Sequence, residues 1–169
     1  MRRKDRKIQG IVDKIKIIEK CKYCRIGLSE NNYPYIVPLN YGYSYVDENL
    51  TIFFHSAIEG KKIDIIKNNN NACFEIDCNT KLIKGEKACN YSYEYRSIIG
   101  FGKIIFLKTN VEKTEGLNKI MQHQTGEKIN YTFNENELKN VLVFKMVVED
   151  FTGKKRILKK NTLKQKTST

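Results

Sequence analysis

The 169-residue sequence has no tryptophan, only two histidines, and no apolar run that approaches a membrane-spanning helix. No early hydrophobic stretch resembles a signal peptide, because Met1-Arg2-Arg3-Lys4-Asp5 is polar and leads directly into patterned sequence. The expectation is therefore a cytoplasmic protein that does not enter a membrane. Acidic residues are scarce, 19 against 31 lysines and arginines, for a net charge of +12. Such a balance invites a nucleic-acid reading. Most of the excess is lysine, in a chain also crowded with asparagine, isoleucine and tyrosine, as an AT-rich coding sequence would produce. A solvated lysine-rich surface, favouring small anionic ligands, explains it without a polyanion groove. No Ser-His-Asp order and no Walker A pattern occur. Gly100-Phe101-Gly102 lies inside strands instead of opening a helix, which excludes a dinucleotide fingerprint.

Five cysteines, an odd number, fit free thiols in a reducing compartment better than a disulfide framework. Cys21-Lys22-Tyr23-Cys24 is a C-x-x-C, but no second pair or histidine follows at zinc spacing and no thioredoxin-like βαβ pattern surrounds it. No metal site is expected.

What is present is one domain's worth of short elements. Ile8, Ile11, Val12, Ile15 and Ile18 recur at helical spacing and predict an opening amphipathic helix. Arg25 to Ser29 reads as a strand ending in a turn at Glu30-Asn31-Asn32. Tyr35 to Tyr43, a turn at Asp47-Glu48-Asn49, and Leu50 to His55 read as a β-hairpin. Pro38 inside the first of these strands implies that its N–H side is an edge or faces something other than a partner strand. Ala72 to Cys78 and Tyr91 to Arg96 alternate as half-buried strands, and Ile98 to Leu107 continues the sheet across two glycines that predict a bulge or close backbone approach. Thr109 and Glu112 have capping-box spacing for a helix that Gly126 ends. Leu142 to Val147 is the last predicted strand, and Lys154 to Thr169 is expected to fray. Many antiparallel strands, few helices and no βαβ alternation make an α+β protein built on a small barrel. The domain is expected over 1–155, with a lysine-rich tail over 156–169.

The most informative stretch is Phe54-His55-Ser56-Ala57-Ile58-Glu59-Gly60-Lys61-Lys62-Ile63-Asp64. Ser56 and Glu59 are spaced as a capping box, so a strand is expected to turn at Ser56 into a helix. A helix start offers unpaired N–H groups and the positive end of the dipole to a phosphate. Gly60 removes bulk there, and Lys61 and Lys62 add charge. The ordinary alternative is a capped amphipathic helix with solvated lysines. His123, near the end of a predicted helix, reads as a partner for its dipole.

Three motifs in order carry a resemblance: Pro38-Leu39-Asn40-Tyr41-Gly42-Tyr43, the F-H-S-A-x-x-G-x-K-x-D run from Phe54 to Asp64, and Tyr95-Arg96-Ser97-Ile98 leading to Gly102. Together they resemble the FMN-binding split β-barrel superfamily, in its nitroimidazole-resistance branch, related to pyridoxamine 5′-phosphate oxidase. The resemblance spans most of the chain and implies a small antiparallel split β-barrel flanked by helices. It implies FMN held by Pro38, Leu39, Asn40, Tyr41 and Gly42 along the ring, and by Ser56, Lys61 and Lys62 at the phosphate. Arg96 and Ser97 would reach the cofactor from strands lining a homodimer interface, to which the tyrosine-rich strand from Tyr91 to Tyr95 would add apolar area. His55 would lie near the ring as the catalytic residue. With no tryptophan, that residue cannot stack on the flavin. The arginine-rich substrate residues of true pyridoxamine-phosphate oxidases are not recognisable. The implied activity is reduction of a small electrophile such as a nitroaromatic, with a reduced nicotinamide or another donor supplying electrons. The alternative on the same fold is a non-catalytic flavin- or haem-binding carrier or sensor.

Overall fold

The computed structural model describes residues 3–157. Eight antiparallel strands carry the fold: β1 (Lys7–Ile8), β2 (Tyr23–Glu30), β3 (Tyr33–Asn40), β4 (Gly42–Val46), β5 (Asn49–Ser56), β6 (Asn71–Ile83), β7 (Ser92–Phe106) and β8 (Leu142–Arg156). Four helices accompany them: α1 (Ile11–Lys20), α2 (Lys61–Asn68), α3 (Asn110–Thr125) and α4 (Glu135–Lys139). The sheet runs in the order β3-β2-β6-β7-β8-β5-β4, with β1 paired to β8. It curls until β3 comes against β5, so the two ends of the sheet nearly meet. This is an α+β split barrel.

Alternation along the strands makes the two faces of the sheet. Ile26 and Leu28 of β2, Ile52 and Phe54 of β5, Phe74 and Ile76 of β6, Ile98 of β7, and Phe144 and Met146 of β8 fill the interior. α1 lies over β6 and β7 and contributes Ile17 and Ile18, while Ile65 and Ile66 of α2 join the same core. α3 packs on the outside of β4 and β5, where Phe53, Leu107, Ile120 and Val143 form a second cluster.

The turns and caps follow local chemistry. Asn31-Asn32 and Asp47-Glu48 both take positive φ, the conformation that tight hairpins with right-handed twist require. α3 starts in a complete capping box, with Thr109 Oγ1 accepting from the Glu112 amide, and stops at Gly126 with φ +80°. Pro38 sits on β3, an end strand, as its missing donor requires.

Four expectations are corrected. Tyr35 to Tyr43 is not one strand: the chain breaks at Tyr41, β3 pairs with β2, and β4 pairs with β5. The opening helix starts at Ile11, leaving Ile8 in β1. The strand from Leu142 runs on to Arg156 because β7 pairs with it as far as Tyr95, so Lys154 to Arg156 are ordered. The rest of the expected tail, 158–169, lies outside the described residues. Ser56 and Glu59 form no capping box: α2 begins at Lys61 behind Gly60, with no side-chain cap. Strand pairing wins here, since Ser56 is held in register opposite Leu142 and its Oγ donates to the Ala57 carbonyl.

The glycines of β7 act through their missing side chains. A Cβ on Gly100 would stand 2.4 Å from the Phe74 ring, and one on Gly102 would stand 2.1 Å from the Val147 carbonyl oxygen. The bulge lies opposite, where β8 carries an extra residue at Glu149 between Val148 and Asp150. Gly42 has the same duty toward α3, because its Cβ would lie 2.3 Å from the Lys119 carbonyl carbon. Gly42→Ala should therefore displace α3 and cost about 1–3 kcal/mol, the range for overpacking. Thr109→Ala, which loses one cap, should cost about 1 kcal/mol. Urea midpoints that rank the two variants in the reverse order would contradict this assignment.

Candidate functional site

The start of α2 is an open helix terminus. Gly60 has φ +128°, an added Cβ there would meet nothing within 4 Å, and no side chain caps the helix. The Gly60 carbonyl already accepts from Ile63 and Asp64, whereas the amides of Lys61 and Lys62 at the first helical positions have no intrahelical acceptor. Lys61 turns back to the β2–β3 hairpin, with Nζ 3.4 Å from Glu30 and 5.1 Å from the centroid of the Tyr35 ring. Lys62 is half-buried and forms no ion pair among the described residues. Free amides, two consecutive lysines and a bare Gly60 are the chemistry that a phosphate monoester needs.

Alternation sorts the remaining sequence-predicted residues onto two faces. Pro38 and Asn40 share the exposed outer face of β3 with Ile36, while Leu39 packs on the core. Pro38 lies three residues beyond Tyr35 along β3, about 10 Å at the rise of an extended strand. Tyr41 is fully buried, its hydroxyl donating to the Ile18 carbonyl at 2.5 Å, and burial pushes its phenol up. Tyr41 and Gly42 are thus packing residues: one ties the β3–β4 corner to α1, the other admits α3. His55 is exposed at the end of β5 on the outer side with Phe53, beyond the cover of α3. Ser56 takes the opposite face.

Arg96 and Ser97 also part company. Ser97 shares the outer face of β7 with Ile99 and Phe101, whereas Arg96 falls on the side of buried Ile98, beneath α1, and lines a different cavity. The register separates both from His55: Ser56 pairs with Leu142 at the start of β8, and Arg96 pairs with Lys155 near its end. Within one chain, the α2 start and the Arg96–Ser97 segment are two separate places.

The sheet's outer face carries features that residue patterns did not single out. Ile36, Gly27, Cys73 and Phe101 stand in one cross-strand row over β3, β2, β6 and β7. Gly27 notches that row, because a Cβ there would lie 2.5 Å from the Cys73 sulfur. The notch opens into an apolar trough of about 660 Å³, rimmed by Pro34, Ile36 and Phe101. Ile36 is 64% exposed and Phe101 57% exposed, high values for large apolar side chains. The neighbouring row, Pro38-Arg25-Glu75-Ile99, is polar at its centre. Arg25 donates to Glu75 at 2.8 Å and Asp77 at 2.6 Å, and even so burial holds the Glu75 carboxyl above its ordinary range. Ile99, Phe101 and Ile105 alternate with glycines and core residues, so the signal for this face was present in β7.

The remaining candidates are structural. Cys21 and Cys24 are buried free thiols whose ionisation burial opposes, which disfavours thiolate chemistry. His123 is buried, its ring facing the carbonyl oxygens of Tyr41 at 2.7 Å and Glu19 at 3.0 Å. It clamps α3 to the β3–β4 corner and the end of α1. Lys22 Nζ donates to the His123 carbonyl from the other side.

The family profile described as pyridoxamine 5′-phosphate oxidase matches residues 14–155. The chain belongs to this family. Its fold is shared with a candidate 5-nitroimidazole antibiotic resistance protein of Bacteroides thetaiotaomicron, at 32% identity over 88% of this chain and 85% of that one, TM-score 0.75. The flavocytochrome Anf3 of Azotobacter vinelandii superposes with TM-score 0.76 at 14% identity, over 94% of this chain and 72% of that one. A FAD- and haem-binding protein of Mycobacterium smegmatis gives TM-score 0.74 at 13% identity, over 89% and 73%. These last two share the fold alone. No curated protein matches the chain. Among the described residues, no helix is long and apolar enough to cross a membrane.

Arg25 gives the family member's outer face a pH signature. Arg25→Ala removes the cation that opposes burial at Glu75 and leaves it facing a second carboxylate half-buried, so the Glu75 folded-state pKa rises further above its unfolded value. Such carboxylates favour the folded state at low pH, and that contribution is lost as pH rises through the folded pKa. The stability deficit of Arg25→Ala against the native chain should therefore be larger at pH 8 than at pH 4 in urea melts. An equal deficit at both values would show that Arg25 does not compensate these carboxylates.

Proposed function

We propose that the chain binds FMN and serves as a reductase of small electrophiles such as nitroaromatics, with a reduced nicotinamide or another donor supplying electrons. The observation that carries this reading is the uncapped start of α2 behind Gly60, flanked by Lys61 and Lys62, in a family defined by phosphate-bearing cofactors and substrates. The amides of Lys61 and Lys62 and the Lys62 ammonium would hold a terminal phosphate, with Ser56 at the adjoining strand end. A dinucleotide such as FAD would place its second phosphate and adenosine where this terminus offers one monophosphate cradle. Pro38 and Asn40 on β3, with Leu39 contributing only its backbone between them, would border the ring. The bound flavin supplies the hydride and one-electron chemistry, and the protein supplies orientation, charge and a water-poor pocket. His55, exposed at the end of β5, is the residue assigned to reactivity, as a proton donor or anion anchor. The 32% identity to the candidate nitroimidazole-resistance protein supports the substrate class.

A symmetric homodimer accompanies this reading. Ile99, Phe101 and Ile105 stand exposed on one face of β7, with Lys103 between the last two, and Tyr93 is exposed nearer the start of the strand. An apolar face of this kind is stable in water when covered, and two-fold pairing is the commonest cover. Pairing would also let Ser97 of one copy approach a flavin held by the other. Light scattering should give a dimer for the native chain and a monomer for Phe101→Glu. A native monomer with flavin bound would overturn the shared-site arrangement.

The phosphate and reactivity assignments separate in one set of measurements. Lys62→Ala should weaken FMN binding at least tenfold relative to Lys139→Ala, a surface lysine on α4. His55→Ala should retain FMN while slowing nitroaromatic reduction per bound flavin. Equal FMN affinity in the two lysine variants would remove the phosphate assignment. A His55→Ala protein with lower melting temperature and unchanged rate would make His55 a structural residue.

A further inference from the structure

Arg96 lines a cavity of about 330 Å³ between α1 and the far ends of β6, β7 and β8. At roughly 30 Å³ per water, the cavity has room for about eleven waters, well beyond a bare phosphate ion. Its charge is one-sided. Lys16 and Lys20 of α1, Arg96 of β7 and Lys155 of β8 face it, against a single carboxylate, Asp13. Asp13 lies 3.8 Å from Lys155, and the other three cations form no ion pair among the described residues. Arg96 and Lys155 are direct cross-strand partners, a placement in which like charges repel. Neither is fully exposed, so solvent screens that repulsion incompletely.

The rest of the lining is of another kind. Ile8 and Ile17 present apolar surface beside the cations, and Cys78 presents a thiol. Asn79, with φ +57°, turns β6 away at an irregularity in its pairing with β7, which keeps this end of the sheet from closing over the space. An arginine fork and three lysines beside an apolar wall fit a dianionic head group carried on a small organic body.

We propose that this cavity binds a small phosphate monoester, at a site separate from the start of α2. A phosphate monoester brings close to two negative charges, which would offset the Arg96–Lys155 repulsion and draw in Lys16 and Lys20. The two sites lie at opposite ends of β8, near Leu142 and near Lys155. Occupancy here brings α1 and the β7–β8 ladder together through one ligand.

Isothermal titration of the full chain, saturated with FMN, tests this with ribose 5-phosphate as the probe and ribose as the uncharged control. The expected result is one ribose 5-phosphate per chain and no heat from ribose. Arg96→Ala and the double variant Lys16→Ala/Lys20→Ala should each weaken binding at least tenfold, and Lys139→Ala should leave it unchanged. The double variant changes only exposed helix positions, so it remains informative if Arg96→Ala fails to fold. FMN content, read by flavin absorbance, should be the same in the native chain and both cavity variants. Absence of saturable binding to the native chain, or equal affinity in the variants, would overturn the proposal. Loss of FMN from Arg96→Ala, or binding seen only without FMN, would make Arg96 part of the flavin site instead. Because flavin is read independently, failure of this site and failure of the flavin reading give different results.

Discussion

The ladder of β7 with β6 on one edge and β8 on the other satisfies nearly all of its backbone from Ser92 to Phe106 and holds the barrel wall together. A fifteen-residue strand paired on both sides would stack bulky side chains on both faces. Gly100 and Gly102 relieve that crowding on the inner face, where Phe74 and the backbone of β8 move into the vacated space. The twist this permits lets a seven-strand path curl until β3 reaches β5. Filling either glycine would push apart strands to which α1, α3 and the outer face are all referenced.

Once that wall is in place, strand alternation decides which side chains can share a ligand. Adjacent residues in a sequence motif do not share a face, so Arg96 goes beneath α1 while Ser97 goes to the outer sheet surface. Leu39 likewise turns to the core between two outward neighbours, Pro38 and Asn40. A motif read as one cofactor-binding unit is therefore two sets of groups, one supporting the barrel and one available at its surface. The outer set is apolar around a central charged triad, Arg25 with Glu75 and Asp77. Arg25 is sandwiched by register between Pro38 and Glu75, so the proposed ring wall and the triad are mechanically one unit.

Most of the fold was legible in the sequence because its signals were local. The α3 capping box and Gly126 stop, the paired positive-φ turns and the glycine-marked approach in β7 all depend on residues within a few positions. The misses were tertiary. Tyr41 carries no local sign that its hydroxyl reaches Ile18, and so the break between β3 and β4 looked like continuous strand. Ser56 and Glu59 had capping spacing, but the chain from Ala57 to Gly60 is not helical and α2 begins only at Lys61, so Ser56, paired to β8, has no helix start to cap. The lysines of α1 looked like a merely solvated face because Arg96 and Lys155, with which Lys16 and Lys20 line a cavity, come from distant strands.

The lost cap at Ser56 bears on function more than a gained one would. A capped helix satisfies its own first amides, and a phosphate arriving there must displace the capping side chain. α2 instead starts at a glycine with no side-chain cap and no Cβ, at a cost to the isolated helix of a few tenths of a kcal/mol. That cost is local and is offset by packing, since Ile63, Ile65 and Ile66 bury the rest of the helix. α3 and α4 carry complete capping boxes, whereas α1 and α2 both start behind an uncapped glycine, Gly10 and Gly60, and of these two only α2 opens with a pair of lysines. An open terminus that begins with Lys61 and Lys62 fits an anion, and its backbone amides set that site apart from the cationic cavity under α1, where side chains alone supply the charge.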